Sequence, residues 1–284
     1  MLLNPFTYHA PKNLKEANHL MSSLDDFRLL AGGTFLINQL KNFKKKDLKT
    51  PGHIVSLKRI DELKEIRADA KSLTIGSMTT LSELLTSSHL KDNALILKGV
   101  CQNIATNPIR NMATVGGNLM SRYTWAELGT VLIALDAKMH FSGPTKEEGK
   151  TQSVESFFES GAKTEKILKS IAISKNKNDR LVYKRTPKLS CVDIPLFGIC
   201  IKASFEEKKL ANARVVVNNG ISFARRDSVL EEFLNTSEGK DSLIEESVHH
   251  LDSELYDVRS DDYKKNLFRI TIKNALKDLI FSKG

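Results

Sequence analysis

The chain has 284 residues, 40% of them hydrophobic, and a formal net charge of +9 with a pI near 9.3. This length and composition predict a globular chain with a sizeable core, organised as one large domain or two to three small ones. No apolar run approaches the roughly 20 residues of a membrane helix, and the N-terminus lacks the features of an export signal, so we expect a cytoplasmic protein without a membrane span.

The first 60 residues are predicted to form a small αβαβ unit. Leu14, Ala17, Met21 and Leu24 recur at helical spacing and predict an amphipathic helix. A buried strand in "FRLLA", a short helix in "FLINQLKNF" and a second strand in "HIVSLKRI" follow in that order.

The next 115 or so residues alternate between strand and helix signals. Two short strands around a polar turn are predicted in "LKEIRADAKSLTIGSM", and Thr80 with Glu83 forms a capping-box signal for the helix "LSELLTS". A helix in "NALILKGVCQNIA" precedes an irregular stretch over 106–128, and "GTVLIALDAKMHF" predicts a helix that passes into a strand.

A polar run without periodicity, "SKNKNDR", is predicted to link this part to a third unit. The third unit has two strand-like runs within 194–221 and then three helices. Ser228 with Glu231, and Ser242 with Glu245, give capping-box signals for the first two of these helices. Strands followed by helices are typical of the α+β class.

Two glycine pairs, in "AGGT" at 31–34 and "ATVGGN" at 113–118, are the sharpest local signals. A glycine pair between a strand and a helix permits positive φ and lets a ligand approach the peptide amides, which bind phosphate well. A plain turn explains either pair alone, whereas two pairs built alike suit a ligand with two phosphates. Neither pair matches the GxGxxG or GxxxxGK[ST] fingerprints.

The cysteines and histidines form no metal-binding motif. Cys101, Cys191 and Cys200 make no CxxC pair, and the seven histidines show no HExxH spacing, so no metal site is expected. The thiols are interpreted as buried or incidental in a reducing compartment. The sequence also has no obvious nucleophilic triad, so no catalytic residue is predicted.

A nucleic-acid-binding protein is one alternative that the positive charge raises. The basic residues are scattered among 34 acidic ones, and the only tight run is Lys44–Lys46. No base-stacking or groove-reading module accompanies the charge, so this alternative is disfavoured. An acidic partner protein or an anionic cofactor explains the charge at least as well.

Four motifs occur in order: "RLLAGGTFLINQLK", "HIVSLKRIDELKEI", "LTIGSMTTLSEL" and "NPIRNMATVGGNL". Together they resemble the FAD-binding medium subunit of the molybdenum hydroxylases, the family of xanthine, carbon monoxide and nicotinate dehydrogenases. The resemblance extends almost end to end, because "NPFTYHAPKNLKEA" looks like the family's opening helix and "DVRSDDYKKNLFRITIKNAL" like the close of its last domain.

The resemblance implies an α+β fold in two domains. Residues 1–175 would form a two-part FAD-binding domain of the PCMH and vanillyl-alcohol-oxidase-like type, with subdomains of about 1–57 and 58–175. Residues 180–284 would form a C-terminal α+β domain like that of the carbon monoxide dehydrogenase flavoprotein.

The resemblance also implies a noncovalent FAD site. Glu127 matches the family's acidic residue nine positions after the asparagine of the second loop, Leu168 a leucine near the flavin ring, and Lys184 a cation that offsets the phosphates or the reduced ring. The remaining contacts would come from two loops, made up of Arg28, Leu29, Leu30, Ala31, Gly32, Gly33, Thr34 and Phe35, and of Thr114, Val115, Gly116, Gly117 and Asn118.

Two segments depart from the family pattern. Phe35 stands where many members have aspartate or serine, and Arg122, Tyr123 and Trp125 replace a run of small residues with a proline. We expect these bulky side chains to reshape the environment of the adenine or the flavin ring.

Several of these residues also have plainer interpretations. Trp125 is interpretable as a core or interface residue, and Lys184 as a surface cation. Glu127 suits the first turn of a helix, where the helix dipole favours an acid. Arg110 is interpretable as a partner of a backbone carbonyl.

By resemblance, the chain is an electron-transfer subunit. Its FAD would take electrons singly from [2Fe–2S] clusters on a small partner subunit and release them in pairs to NAD or another acceptor, while a large partner subunit holds the molybdenum cofactor. Three cysteines accord with this division, because two such clusters need four cysteine ligands each. The alternative is a noncatalytic, flavin-poor scaffold of the same fold, motivated by the altered segment after Asn118.

Overall fold

The computed structural model describes residues 2–142, 150–161, 166–189, 193–206, 209–237 and 240–281. In these ranges the strands form three sheets, which lie one after another along the chain. Cys191 lies outside the described residues.

A parallel three-stranded sheet forms the first part of the chain, and its elements confirm the predicted αβαβ order. The additional first strand was not predicted, because three half-exposed residues carry no periodic signal. The third strand lies between the other two. The elements are β1 (Thr7–His9), α1 (Leu14–Ser23), β2 (Phe27–Leu30), α2 (Leu36–Lys45) and β3 (His53–Ser56).

An antiparallel five-stranded sheet follows, with six α-helices among the described residues. The predicted capping box is confirmed, since Thr80 Oγ1 accepts the Glu83 N–H and the Glu83 carboxylate accepts the Thr80 N–H. The strand order is β4-β5-β8-β6-β7. The elements are β4 (Ile66–Ala68), β5 (Ser72–Gly76), α3 (Leu81–Thr86), α4 (Ile96–Asn103), α5 (Asn107–Arg110), α6 (Val115–Met120), α7 (Glu127–Ala134), β6 (Lys138–Ser142), β7 (Thr151–Ser153), α8 (Val154–Glu159) and β8 (Ile167–Ser174).

The third sheet is antiparallel in the order β12-β11-β10-β9, and four α-helices follow its strands in the part of the chain that the structure describes. The strands-then-helices order of this part was predicted from the sequence. The elements are β9 (Arg180–Thr186), β10 (Phe197–Glu206), β11 (Lys209–Asn218), β12 (Arg225–Arg226), α9 (Ser228–Thr236), α10 (Lys240–Glu246), α11 (Ser253–Tyr256) and α12 (Asp262–Phe281).

Both capping boxes predicted in the third part are wrong. Asp227, one residue earlier than predicted, caps α9 by accepting the Leu230 N–H at 3.0 Å. The Glu231 carboxylate instead accepts the Val215 N–H and pairs with Arg226. Ser242 lies inside α10, which begins at Lys240.

Helix α7 joins the second and third parts. All of its residues are buried, and it packs against β10 and β11 as well as α4 and α8. A helix that is apolar on every side belongs in a core, and the core of the middle sheet accordingly includes Cys200 and Val216 from the third sheet. The segment just before α7 is therefore held at the junction of these two parts.

Within the ranges given above, no helix is both long and apolar enough to cross a membrane.

Two helical glycines provide a matched test of this packing. A Cβ on Gly129 in α7 would lie 2.8 Å from Phe158 Cε2, whereas a Cβ on Gly99 in α4 would have no atom within 4 Å. Gly99→Ala should raise the free energy of unfolding by about 0.5–1 kcal/mol, since alanine restricts the unfolded chain. Gly129→Ala should lower it by about 1–3 kcal/mol through overpacking.

Urea unfolding of both variants measures these changes. An equal gain in stability from the two substitutions would contradict the packing of α7 against α8.

Candidate functional site

The two glycine segments lie side by side. A Cβ on Gly32 would lie 1.9 Å from the carbonyl oxygen of Met112 and 3.1 Å from Ala113 Cα, so only glycine permits this approach of the two backbones. A Cβ on Gly117 would in turn lie 3.6 Å from the Ala31 side chain. The structure therefore brings together the two segments that the sequence analysis singled out.

The first segment, Ala31–Phe35, leaves its peptide amides unpaired. It connects β2 to α2, and Gly33 has a φ of +75°, in the left-handed region that favours glycine. Within the described residues, none of its five N–H groups donates a hydrogen bond to a backbone or side-chain acceptor. Phe35 gives α2 no side-chain cap. A run of unpaired amides before a helix is typical of an anion-binding loop.

The second segment, Thr114–Asn118, differs from the predicted exposed loop. Gly116 and Gly117 lie in the first turn of α6. The Gly116 N–H donates to Ser77 O at 2.8 Å, and the Gly117 N–H donates to Thr114 Oγ1 at 3.0 Å. The prediction of an open, amide-rich loop is therefore wrong here, because the fold itself uses these donors.

Two buried oxygen atoms beside the second segment have no hydrogen-bond partner among the described residues. They are Ser77 Oγ and Asn118 Oδ1. Ser77 lies directly against Gly116, where an added Cβ would be 2.7 Å from Ser77 Cβ. An unpaired buried acceptor or hydroxyl costs free energy, so these two atoms suit a polar ligand group. The sequence analysis missed Ser77, since a serine after a strand carries no distinctive signal.

The residues that depart from the family pattern meet at this place. The rings of Phe35 and Tyr123 have centroids 4.2 Å apart, and those of Tyr123 and Trp125 are 4.1 Å apart. All three side chains are half-buried. We call Phe35, Tyr123 and Trp125 the aromatic stack, although Phe35 and Tyr123 meet edge to face and the rings of Tyr123 and Trp125 are tilted by 34°. It connects the first glycine segment to the chain that follows the second.

Arg122 and Thr124 fix this part of the chain from the other side. The Arg122 guanidinium lies over the rings of Phe157 and Phe223 at 4.8 and 4.9 Å from their centroids. Thr124 Oγ1 donates to Gly220 O at 3.0 Å. Burial lowers the pKa of Arg122, and the cation–π contacts with two rings favour its charged form.

Glu127 is buried at the first position of α7, as its plainer interpretation predicted. Its Oε1 accepts from the Tyr183 hydroxyl at 2.9 Å and from Arg185 Nε at 3.1 Å. Burial raises the pKa of Glu127, and the charge of Arg185 opposes that shift. The carboxylate therefore holds β9 against α7, and its assignment to FAD stays a prediction.

The other predicted site residues lie in separate surroundings. Leu168 is buried in β8 as part of the middle core. Lys184 in β9 forms an ion pair with Asp278 in α12, a partner that sequence reasoning missed. Arg28 is exposed and donates to the carbonyl of Phe27. Contacts of Leu168, Lys184 and Arg28 with FAD stay predictions.

Arg110 binds backbone carbonyl groups, in agreement with its plainer interpretation. Its Nη1 donates to the carbonyls of Gln102, Ile104 and Ala105 at 2.7–3.0 Å. The guanidinium thereby fixes the turn between α4 and α5, a few residues before Met112.

The first glycine segment has open peptide amides of the kind that bind anions, and comparison with known proteins identifies the class of ligand that the domain binds. Residues 4–175 match the model of the FAD-binding domain in molybdopterin dehydrogenase. This match covers more than half of the chain. The chain therefore belongs to that family, and FAD is the cofactor of its domain.

Curated relatives match over about half of their length. The carbon monoxide dehydrogenase medium chain of Hydrogenophaga pseudoflava is 32% identical over 140 residues, which are 49% of this chain and 47% of the relative. The xanthine dehydrogenase FAD-binding subunit of Escherichia coli O157:H7 is 34% identical over 139 residues, 49% of this chain and 46% of the relative.

Solved structures match over almost the whole chain and support the fold. Carbon monoxide dehydrogenase from Hydrogenophaga pseudoflava has a TM-score of 0.86 at 23% identity and covers 98% of both chains. Quinoline 2-oxidoreductase from Pseudomonas putida 86 also has a TM-score of 0.86, at 20% identity, over 99% of this chain and 98% of that one. The α+β fold expected from the sequence is confirmed.

Metal ligands do not cluster in the part of the chain that the structure describes, where no group of three or more His, Cys, Asp or Glu side chains is found. Cys101 and Cys200 are free and fully buried. Burial raises the pKa of each thiol to about 12.

These two thiols should be inert in the folded protein. In a Cys191→Ser variant, we expect no reaction with Ellman's reagent at pH 8 under native conditions, because a buried, protonated thiol is not a nucleophile. Both thiols should react once the chain is unfolded in guanidinium chloride. Rapid labelling of either thiol in the native variant would contradict the buried positions of Cys101 and Cys200.

Proposed function

We propose that this chain is the FAD-binding electron-transfer subunit of a molybdenum-containing hydroxylase or dehydrogenase complex, of the xanthine dehydrogenase-like type. The observation that carries the proposal is the approach of Gly32 to Met112 and Ala113 in a member of this family. That approach places the five unpaired amides of Ala31–Phe35 beside the second glycine segment. The division into domains 1–175 and 180–284 and the cytoplasmic location belong to the same proposal.

The residues of the two segments fit the cofactor in charge and in hydrogen-bonding groups. In the proposal, the amides of Ala31–Phe35 hold the pyrophosphate. Their N–H groups carry partial positive charge and have no acceptor among the described residues, so they can donate to an anion. Ser77 Oγ and Asn118 Oδ1 offer hydrogen bonds to its hydroxyl or phosphate groups. When bound, FAD supplies redox chemistry in steps of one or two electrons.

The protein's own contribution is to bind and orient the cofactor. No side chain of the described site is arranged as a nucleophile with a neighbouring base, so the chain is assigned no acid–base step. Leu168, Glu127 and Lys184 remain proposed cofactor contacts on the strength of the family pattern. Their observed partners lie in the core, in β9 and in α12, respectively.

Partner subunits complete the proposed electron path. We assign the [2Fe–2S] clusters to a small subunit and the molybdenum cofactor to a large one, with NAD or another acceptor receiving the electrons. Relatives named as a medium chain and as a FAD-binding subunit support this division. The positive charge of the chain suits contact with acidic partner surfaces.

A flavin-poor scaffold of the same fold is the second candidate. The observation in its favour is the aromatic stack, whose three rings pack against one another beside the unpaired amides. Flavin content of the purified chain separates the two candidates, since a scaffold should stay colourless after addition of FAD.

Thr34 provides a charge-specific test of the pyrophosphate assignment. It is half-buried in the middle of the unpaired amides. Thr34→Asp should raise the Kd for FAD by about 10-fold or more, because a carboxylate within a few ångströms of the phosphates repels them. Thr34→Asn, of nearly the same size, should stay within about threefold of the native Kd. Titration of flavin fluorescence measures both.

The fold should tolerate both variants, since an acidic residue just before a helix is favourable. Equal unfolding temperatures with equal Kd values for Thr34→Asp and Thr34→Asn would contradict the proposed phosphate site.

The partner assignment is tested in the native complex. Affinity purification of the tagged chain from its source cells should yield a complex that contains molybdenum and iron together with FAD, as measured by elemental analysis and absorption. A flavin-containing chain that purifies without either metal would contradict the proposed partners and leave the FAD site unaffected.

A further inference from the structure

The aromatic stack is a built feature of the cofactor site. Phe35 is the last residue of the unpaired amide run, and Tyr123 and Trp125 follow α6, whose first turn contains the second glycine pair. Tyr123 lies between the other two rings, at 4.2 Å from Phe35 and 4.1 Å from Trp125. Trp125 is therefore the end of the stack, and its ring partner among the described residues is Tyr123 alone.

The residues that alternate with Tyr123 and Trp125 along the chain, Arg122 and Thr124, hold the aromatic stack in place. Arg122 and Thr124 are fixed to the rings of Phe157 and Phe223 and to the carbonyl of Gly220. Arg122 has a φ of +51°, a conformation that non-glycine residues adopt only when their surroundings hold them there. The Tyr123 ring, between these anchors, contacts Phe35 of the first glycine segment, and the Trp125 ring packs against Tyr123. The orientation of both rings is thus set before any ligand binds.

A preorganised, half-buried aromatic surface next to a phosphate site suits one chemical partner. FAD has two planar heteroaromatic rings, each joined to the pyrophosphate by a short linker, and such rings stack on indole and phenol faces with little loss of side-chain freedom. We propose that the aromatic stack is a ring-binding platform, on which one heteroaromatic ring of bound FAD lies against the indole of Trp125. This proposal rests on the proposed FAD site.

The chain contains a single tryptophan, which gives the platform a spectroscopic probe of its own. In flavin-depleted protein labelled with 5-fluorotryptophan, the one ¹⁹F resonance should shift when FAD is added. The ¹⁹F shift reports a change in the immediate surroundings of the indole, whereas quenching of tryptophan emission by flavin acts over longer distances. Equilibrium dialysis of the same sample reports whether FAD is bound.

The two assays separate the platform from the FAD site. Bound FAD with an unshifted ¹⁹F resonance overturns the platform and leaves the proposed function standing. Absence of FAD binding overturns both. ADP and FMN, added separately, identify the ring: a shift with ADP assigns the adenine to Trp125, and a shift with FMN assigns the isoalloxazine.

Substitutions give an independent measure of the contact. Trp125→Leu should raise the Kd for FAD about 10-fold, the loss expected when a stacked aromatic ring is removed. Trp125→Phe should restore most of this affinity, because it retains a ring face. Tyr263→Leu removes an exposed aromatic ring from α12 and should leave the Kd unchanged.

Unfolding temperatures of the variants control for folding. A Kd for Trp125→Leu within twofold of the native value, in a variant of native stability, overturns the platform. Equal loss of affinity in Trp125→Leu and Trp125→Phe also overturns it, since that pattern indicates a packing role rather than ring stacking.

Discussion

The close approach of the Gly32 backbone to Met112 and Ala113 is the constraint on which the site depends. A Cβ at residue 32 would overlap the carbonyl of Met112, so the contact exists only because this residue has no side chain. It joins the first, parallel sheet to the middle part of the chain. The five unpaired amides, the two unpaired oxygens and the three packed rings lie close together because this contact holds both segments in place.

The two segments need glycine for different physical reasons. In the first, the backbone turns through a left-handed Gly33 and leaves its donors open. In the second, a side chain on Gly116 would overlap Ser77, and the amides of Gly116 and Gly117 already bond to the protein. The first segment therefore has free N–H groups that are complementary in charge to an anion, while the second segment is closely packed against Ser77. Similar sequence patterns thus give open backbone donors in one segment and close packing in the other.

Local patterns predicted the fold well where a local interaction decides the structure. The long helix α12 and the capping box of Thr80 and Glu83 follow from periodicity and from bonds within one turn. The prediction of helix caps and ion pairs failed where residues distant in the sequence determine the contact. Asp227 and Ser228 are both good caps, and α9 uses Asp227, whose other carboxylate oxygen is fixed by Tyr256. The pairing of Lys184 with Asp278, 94 residues away, has no local signal.

The two departures from the family pattern are one structural feature, which bears on the scaffold alternative. In the sequence, Phe35 and the segment 122–125 are separate grounds to question FAD binding, but their rings pack together. The residues that carry the five unpaired amides, Ala31–Phe35, are half-buried, so solvent can satisfy these donors in the ligand-free chain and a phosphate can take its place. The described site keeps those donors, the glycine contact beside them and a held set of rings. This combination favours an altered cofactor site over a lost one.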